Sequence, residues 1–158
     1  MQETMKAMVY REYGPPNVLH LEDVPVPRPE ANEVLIKVRA TTVTTGDVNL
    51  RDFSFVPSGL KSMARLALGI NKPNKTILGT EVAGDVIAVG SNVKRFKVGD
   101  AVFGTGSSHL GAYAEYVCRK AEGSIVLKPK SLSYEEAAAI PFGAGTALYF
   151  LKQLGKVQ

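Results

Sequence analysis

The chain has 158 residues, of which 45% are hydrophobic and 22% charged, with a net charge of +4 at neutral pH. This composition is typical of a globular protein with one sizeable core. The nineteen Lys and Arg residues are scattered, which argues against a nucleic-acid-binding stripe, and no apolar run reaches the roughly 18 residues of a transmembrane helix.

The first ten residues, MQETMKAMVY, lack the apolar core of a secretory signal peptide, so a cytoplasmic location is expected. Lys6–Gly14 alternates as a strand and ends in a turn at Gly14. Val18–Pro29 is predicted to be extended, although its three prolines exclude a central strand at its end.

Asn32–Thr44 is the strongest strand candidate because it is β-branched and alternating. Its two predicted faces are Val34, Ile36 and Val38 against Leu35, Lys37 and Arg39. A one-residue slip would turn the buried face outward, which predicts a firm register. Many further short strands predict a barrel or a sandwich, and they lie at Glu81–Val89, Ala101–Phe103, Tyr113–Val117 and Gly123–Leu127.

A long insertion from Asp52 to Leu78 interrupts these strands, and within it Ser58–Ile70 has the apolar spacing of a short amphipathic helix. After Pro129 the pattern becomes helical again. Ser133 and Glu136 form a capping box, and Pro141 is predicted to end the helix that follows. A second helix is predicted over residues 145–155, with Gly155 as its C-terminal stop.

The segment Gly79–Gly104, GTEVAGDVIAVGSNVKRFKVGDAVFG, resembles the medium-chain dehydrogenase/reductase superfamily. More narrowly, it resembles the zinc-independent quinone oxidoreductase (zeta-crystallin-like) branch. Three further segments match that family in order: the opening strands Met5–Ala40, the barrel-closing Gly111–Val117 and the helix pair Ser133–Leu151. The resemblance therefore covers the chain from Met5 onward.

The resemblance implies a mainly β fold with helices, in which residues 1–130 form a GroES-like β-barrel catalytic domain with the insertion at 52–78. Residues 131–158 are then a helical segment leading toward an absent Rossmann domain, which would bind the nucleotide. The chain is accordingly expected to be the N-terminal part of a longer reductase and to be inactive alone. A homodimer is one state open to the full-length protein.

Gly143 and Gly145 begin a partial G-x-G-x-x-G motif. A dinucleotide-binding loop must follow a strand and open a helix so that backbone N–H groups face the pyrophosphate. Here a predicted helix and Pro141 come first, and the third glycine is absent. This motif is not predicted to bind a cofactor.

The resemblance places zinc ligands, a Cys and a His, at Thr44 and Thr80, and a neutral hydroxyl is a poor zinc ligand. His20 and His109 fall outside these positions, and a surface location is favoured for both. Cys118, the single cysteine, cannot form an internal disulfide or a four-cysteine zinc lobe, and its strand context favours a buried structural thiol. No metal is therefore predicted.

The family's activity implies hydride transfer from NADPH or NADH to a small-molecule carbonyl substrate. Without a Lewis acid, donors from the protein or from the cofactor's ribose hydroxyls must polarise the carbonyl oxygen in a site that excludes water. Quinones and enones suit such a site because their delocalised product needs less stabilisation than an alkoxide. Neither a nucleic acid nor a membrane is expected as a partner.

By resemblance, one wall of the cleft is the segment Val43–Arg51, with Thr44, Asn49 and Arg51 as candidate catalytic residues. The family often has Asn-Pro where this chain has two threonines at 44–45, and often Tyr at position 49. Asp47 and Arg51 match the family pattern, and an ion pair between them that fixes the loop is the equal alternative.

Thr44 and Thr146 are candidate cofactor contacts by resemblance, with a helix-start hydroxyl cap as the alternative role for Thr146. Glu81, like Asp47, is expected to order its loop. In the insertion, three apolar residues are candidates for the substrate pocket: Phe53, Phe55 and Met63. Packing of the insertion onto the barrel is their alternative role.

The competing hypothesis is a non-catalytic binding or structural protein that reuses the fold, since the family's Tyr and Asn are missing from the cleft. A co-chaperonin-like barrel is disfavoured because the C-terminal helices and the insertion have no purpose there. A hydrolase built on Ser107, Ser108 and His109 is disfavoured because triad residues are separated in sequence and the G-x-S-x-G elbow is missing.

Overall fold

The computed structural model describes residues 3–53, 56–60, 63, 66, 69, 72–106 and 110–157. Antiparallel strands dominate this part of the chain. They are β1 Thr4–Tyr10, β2 Leu19–Pro25, β3 Glu33–Ala40, β4 Glu81–Val89, β5 Ala101–Thr105, β6 Tyr116–Lys120 and β7 Ile125–Leu127. β1 and β2 pair with each other, and the other strands form a sheet in the order β6-β3-β4-β5-β7. The mainly β architecture expected from the sequence is confirmed.

The helices lie at the connections and at the C-terminal end. They are α1 Thr45–Asp52, α2 Tyr134–Ala139 and α3 Pro141–Leu148, with a π-helical turn at Tyr149–Leu154 and short 3₁₀ turns at Pro16–Val18 and Ser58–Leu60. Among the residues described, no helix combines the length and apolar character needed to cross a bilayer.

Two helix starts differ from the sequence-based expectation. α1 was not predicted, although Thr44 and Asp47 form a capping box at its start. Pro141 was predicted to end the preceding helix, and α2 does end just before it, at Ala139. α3 then begins at Pro141 instead of at the predicted Gly145, because proline at the first helical position loses no hydrogen bond. The predicted Ser58–Ile70 helix lies mostly outside the described residues, of which Met63 and Leu66 are helical.

The centre of the larger sheet is the β3–β4 pair, and β3 is buried on more than its predicted core face. Leu35 and Ile36, adjacent in β3, are both fully buried. The register shifts between these two residues and again between Val38 and Ala40. Val34, Ile36 and Val38 nevertheless pack in one core cluster while Lys37 and Arg39 are exposed, so the two predicted faces are confirmed; Leu35 is buried outside that cluster.

β4 passes β3 at Gly84 with no room for a side chain. A Cβ atom at Gly84 would lie 2.1 Å from the Lys37 carbonyl oxygen and 2.8 Å from Ile36 Cγ2. Glycine is therefore required here for the close approach of two backbones.

Replacing Gly84 with Ala should lower the free energy of unfolding by about 3 kcal/mol, because the methyl group must displace the β3 backbone. The matched control is Gly143→Ala in α3, where an added Cβ meets nothing within 4 Å. This control should raise stability by up to about 1 kcal/mol. Urea unfolding followed by circular dichroism measures the free energy of unfolding of both variants. Equal values for Gly84→Ala and Gly143→Ala would contradict the close approach at Gly84.

Candidate functional site

The start of α1 is attached to the segment before β4 by a buried carboxylate. The Thr44 hydroxyl accepts from the Asp47 backbone N at 3.2 Å, and Asp47 Oδ2 accepts from the Thr44 backbone N at 3.0 Å and hydroxyl at 2.7 Å. Asp47 Oδ1 accepts from the Gly79 backbone N at 3.1 Å. Asp47 is 2% exposed, so the segments that carry Thr44 and Thr80 meet at this side chain.

Arg51 fixes the far end of α1. Its Nε donates to the Gly14 carbonyl oxygen at 3.0 Å, and its side chain is largely buried. Among the ion pairs of the described residues, Arg51 contacts Asp52 at 3.9 Å rather than Asp47. The Asp47–Arg51 ion pair considered as an alternative is therefore not formed: Asp47 binds Thr44 and Gly79, and Arg51 binds Gly14 and Asp52. A catalytic role for Arg51 stays a prediction.

The remaining candidates near α1 differ in exposure. Asn49 is half-buried, and its backbone carbonyl accepts from the Phe53 backbone N at 2.9 Å. Phe53 is 4% exposed, and its ring centroid lies 4.9 Å from that of Tyr13. This is the packing role that the sequence left open for Phe53. Met63 is 72% exposed, Phe55 lies outside the described residues, and substrate contacts of all three insertion residues stay predictions.

Glu81, the first residue of β4, joins three segments. Its Oε2 accepts from the Thr42 hydroxyl, and its Oε1 accepts from the Phe142 backbone N of α3 at 2.8 Å. Its backbone carbonyl accepts from the Thr41 hydroxyl at 2.7 Å. Two of these contacts reach the loop before α1, and the loop-ordering role of Glu81 stays a prediction. The contact to α3 was not predicted.

Tyr113 was not identified as a site residue from the sequence. Its hydroxyl donates to the Thr42 carbonyl at 3.1 Å, and burial, followed by the charge of Asp47, raises its pKa. A Cβ at Gly79 would lie 2.6 Å from Tyr113 Cδ1, and Gly79 has a φ of +93°, so only glycine fits beside this ring. The only signal for Tyr113 was its place in the barrel-closing segment.

Arg119 on β6 was also missed. Its Nη1 donates to the Leu110 carbonyl at 3.2 Å and its Nη2 to the Gly79 carbonyl at 3.5 Å, while its Nε has no partner among the described residues. Burial lowers the pKa of Arg119 to about 10. This guanidinium ties two loops beside Thr80, and nothing in the sequence distinguishes it from an arginine on a solvent-facing strand position.

α3 presents its side chains to solvent. Thr146 is exposed in the second turn of the helix, so the helix-start cap considered for it does not occur. Gly143 and Gly145 lie inside the same helix, which confirms that this G-x-G segment does not follow a strand. The exposed large apolar side chains here are Phe142, Leu148, Tyr149, Phe150, Leu151 and Leu154.

The described residues contain no group of three or more His, Cys, Asp and Glu side chains placed to hold a metal ion. His20 is exposed on β2, as expected. Three loop residues fall outside the described ranges: Ser107, Ser108 and His109. The expectation of a metal-free site rests on the residue types at positions 44 and 80, and it stays a prediction.

Comparison with known proteins places this geometry in context. The sequence profile described as the alcohol dehydrogenase GroES-like domain matches residues 30–130. A 2-methylene-furan-3-one reductase from Solanum lycopersicum is 37% identical over 159 residues, which are 96% of this chain and 38% of that relative. The chain thus spans well under half the length of this curated relative.

Solved structures agree with this match. The quinone oxidoreductase from Coxiella burnetii has a TM-score of 0.80 and 36% identity, over 96% of this chain and 45% of that one. The Escherichia coli quinone oxidoreductase complexed with NADPH has a TM-score of 0.75 and 29% identity, over 95% of this chain and 41% of that one. Both similarities extend over almost all of the present chain.

Replacing Asp47 with Ala should lower the free energy of unfolding by about 3 kcal/mol, because backbone N–H groups of Thr44 and Gly79 would be left buried without an acceptor. Asp47→Asn keeps one acceptor oxygen and should lose about half as much. Urea titration of both variants measures this difference. A loss below about 0.5 kcal/mol in Asp47→Ala, the size of an ordinary surface substitution, would contradict the bridging role.

Burial, followed by the charge of Glu33, raises the pKa of the half-buried Cys118 thiol to about 12. The thiol therefore stays protonated in the folded protein up to strongly alkaline pH. Ellman's reagent at pH 8 should react at least about 100-fold more slowly with folded than with urea-unfolded protein, since only the thiolate attacks. Rates that agree within a factor of about three would show that Cys118 behaves as a free thiol.

Proposed function

Because the chain belongs to the alcohol dehydrogenase GroES-like domain family of the medium-chain dehydrogenase/reductase superfamily, we propose that it is the substrate domain of an NAD(P)H-dependent oxidoreductase. The proposed reaction is zinc-independent hydride transfer to quinones, enones or related carbonyls, in the cytoplasm. Residues 1–130 form the catalytic barrel and residues 131–158 lead toward a nucleotide-binding domain. The names of the relatives, a 2-methylene-furan-3-one reductase and quinone oxidoreductases, support this substrate class.

The observation that carries the proposal is the bridge made by Asp47. Its carboxylate binds Thr44 on one side and the Gly79 backbone, next to Thr80, on the other. By resemblance these two threonines stand at the zinc-ligand positions of the superfamily. A pair of hydroxyl side chains is a poor donor set for zinc, which favours polarisation of the substrate carbonyl by hydrogen bonds.

A bound nicotinamide supplies the hydride, and the chain's own residues orient the carbonyl, donate to its oxygen and exclude water. The Thr44 hydroxyl donates to Asp47 Oδ2, so its main task here is to hold the start of α1. Asn49 carries amide N–H donors on the same helix and is half-buried. We assign the donation to the carbonyl to Asn49, and Arg51 steadies the helix through Gly14.

The exposed face of α3 supports the place proposed for the cofactor. Thr146 stands among large apolar side chains that have no cover in the described chain. Apolar side chains of this size favour packing against a further domain, and a hydroxyl among them fits a contact with the nicotinamide. In this arrangement the substrate lies between α1 and α3.

The non-catalytic alternative is favoured by the missing Tyr at position 49 and the missing Asn at position 44. The two hypotheses differ in turnover. The full-length protein should oxidise NADPH in the presence of a quinone or an enone with saturation kinetics, and a protein that binds both without turnover would be a binding or structural protein.

Within an active enzyme, Asn49→Leu should lower kcat/KM for an enone by about 100-fold, because one donor to the developing negative charge is lost. The matched control is Asn92→Leu, at an exposed position in the turn after β4, which should keep wild-type kinetics. Unfolding midpoints of both variants verify that the fold is intact. An Asn49→Leu enzyme with wild-type kcat/KM would rule out Asn49 as the carbonyl donor.

A further inference from the structure

We propose that Glu81 is a positioning residue that joins the two walls of the cleft. Its carboxylate, on the first residue of β4, caps α3 and thereby orients the helix face that carries Thr146. The role of this helix face rests on the proposed function, in which the nicotinamide cofactor binds near Thr146. The cap itself is a property of the present chain and can be tested without any enzyme activity.

α3 has no cap of its own. Ile140, at the N-cap position, offers no side-chain hydrogen bond, and Pro141 has no N–H. The next donor is the Phe142 N–H, and its acceptor is Glu81 Oε1 at 2.8 Å, 61 residues away in sequence. α2, by contrast, is capped locally by Ser133 and Glu136. The first turn of α3 therefore depends on the first residue of β4.

The other side of Glu81 is bound to the segment that leads into α1. Thr42 donates its hydroxyl to Oε2, and Thr41 donates to the Glu81 carbonyl at 2.7 Å. Glu81 is 3% exposed, so both contacts are shielded from water. A negative charge at the start of a helix is also favourable because the helix dipole is positive there. One side chain thus connects the Thr44 side of the cleft to the Thr146 side.

The position of Thr146 follows from this cap. Phe142 and Thr146 are four residues apart in α3, so they lie on the same face, one turn from each other. From Phe142 to Leu148 every residue of α3 is exposed, which means that packing contributes little to the helix. The carboxylate consequently has a larger share in fixing α3 than a cap has on a well-packed helix.

The first test uses the unmodified chain. A scalar coupling across the hydrogen bond between Phe142 N and the Glu81 carboxyl carbon should be detectable by NMR. The internal control is the Lys6 N–Glu115 hydrogen bond, which has the same length of 2.8 Å. Detection of the control coupling without the Phe142 coupling would overturn the proposal, whatever the variants below do.

The second test compares hydrogen exchange in Glu81→Ala, Glu81→Gln and Glu115→Ala. Loss of the cap in Glu81→Ala should accelerate exchange of the Phe142–Thr146 amides by about fivefold or more. Glu81→Gln keeps an acceptor oxygen and should stay within about twofold of the wild type, as should Glu115→Ala, which removes the same kind of bond elsewhere. Wild-type exchange in folded Glu81→Ala would overturn the proposal. If that variant does not fold, the NMR coupling alone decides.

The third test uses the full-length enzyme. Glu81→Ala should raise KM for NADPH about tenfold and change kcat by less than about threefold, and Glu81→Gln should restore KM. If Glu81→Ala exchanges its α3 amides faster but keeps wild-type kinetics, Glu81 caps α3 but does not position Thr146 for the cofactor. A full-length protein without any NADPH oxidation would refute the proposed function, while the exchange and coupling results would still decide the cap.

Discussion

A carboxylate in a protein interior must find donors, because leaving it without partners is more costly than almost any other local defect. Asp47 and Glu81 meet this requirement with backbone N–H groups and threonine hydroxyls. Their donors come from Thr42 and Thr44 in the segment before α1, from Gly79 before Thr80, and from Phe142 of α3. The two acids therefore draw together parts of the chain that are far apart in sequence, at one end of β4.

Other contacts of the described structure hold the end of β4 at which Asp47 and Glu81 bind their donors. β4 lies in the middle of the larger sheet, and its close approach to β3 at Gly84 keeps it in place. Tyr113 and Arg119 reinforce the same region through carbonyl oxygens at Thr42, Leu110 and Gly79. Polar side chains here thus bind mainly to backbone groups and less to one another.

The strands could be predicted from sequence because their signals are local: β-branched residues, two-residue periodicity and bounding glycines and prolines. The burial of Leu35 and the register shifts of β3 could not, since both depend on what packs against and pairs with the strand. The start of α1 had a usable signal in the Thr44–Asp47 capping box, at the end of the segment predicted as a strand. The start of α3 had no local capping signal, because its cap comes from Glu81, 61 residues away in sequence.

Only part of the candidate site could be predicted from sequence, because some of its features depend on tertiary packing. Family resemblance and residue type directed attention to Thr44, Asp47 and Glu81, and the structure shows that Asp47 binds Thr44 and Gly79 and that Glu81 binds Phe142. Burial of Arg119 and packing of Phe53 against Tyr13 are tertiary properties that no short motif encodes. A donor set of hydroxyl and amide groups, in place of zinc ligands, is the feature on which the proposed chemistry depends.

The most direct measurement of that claim is NADPH-dependent enone reduction by the full-length protein after exhaustive chelation, with the metal content determined on the same sample. Turnover should be unchanged after chelation, and zinc should be far below one equivalent per chain. Loss of turnover on chelation, with recovery when zinc is restored, would contradict that claim.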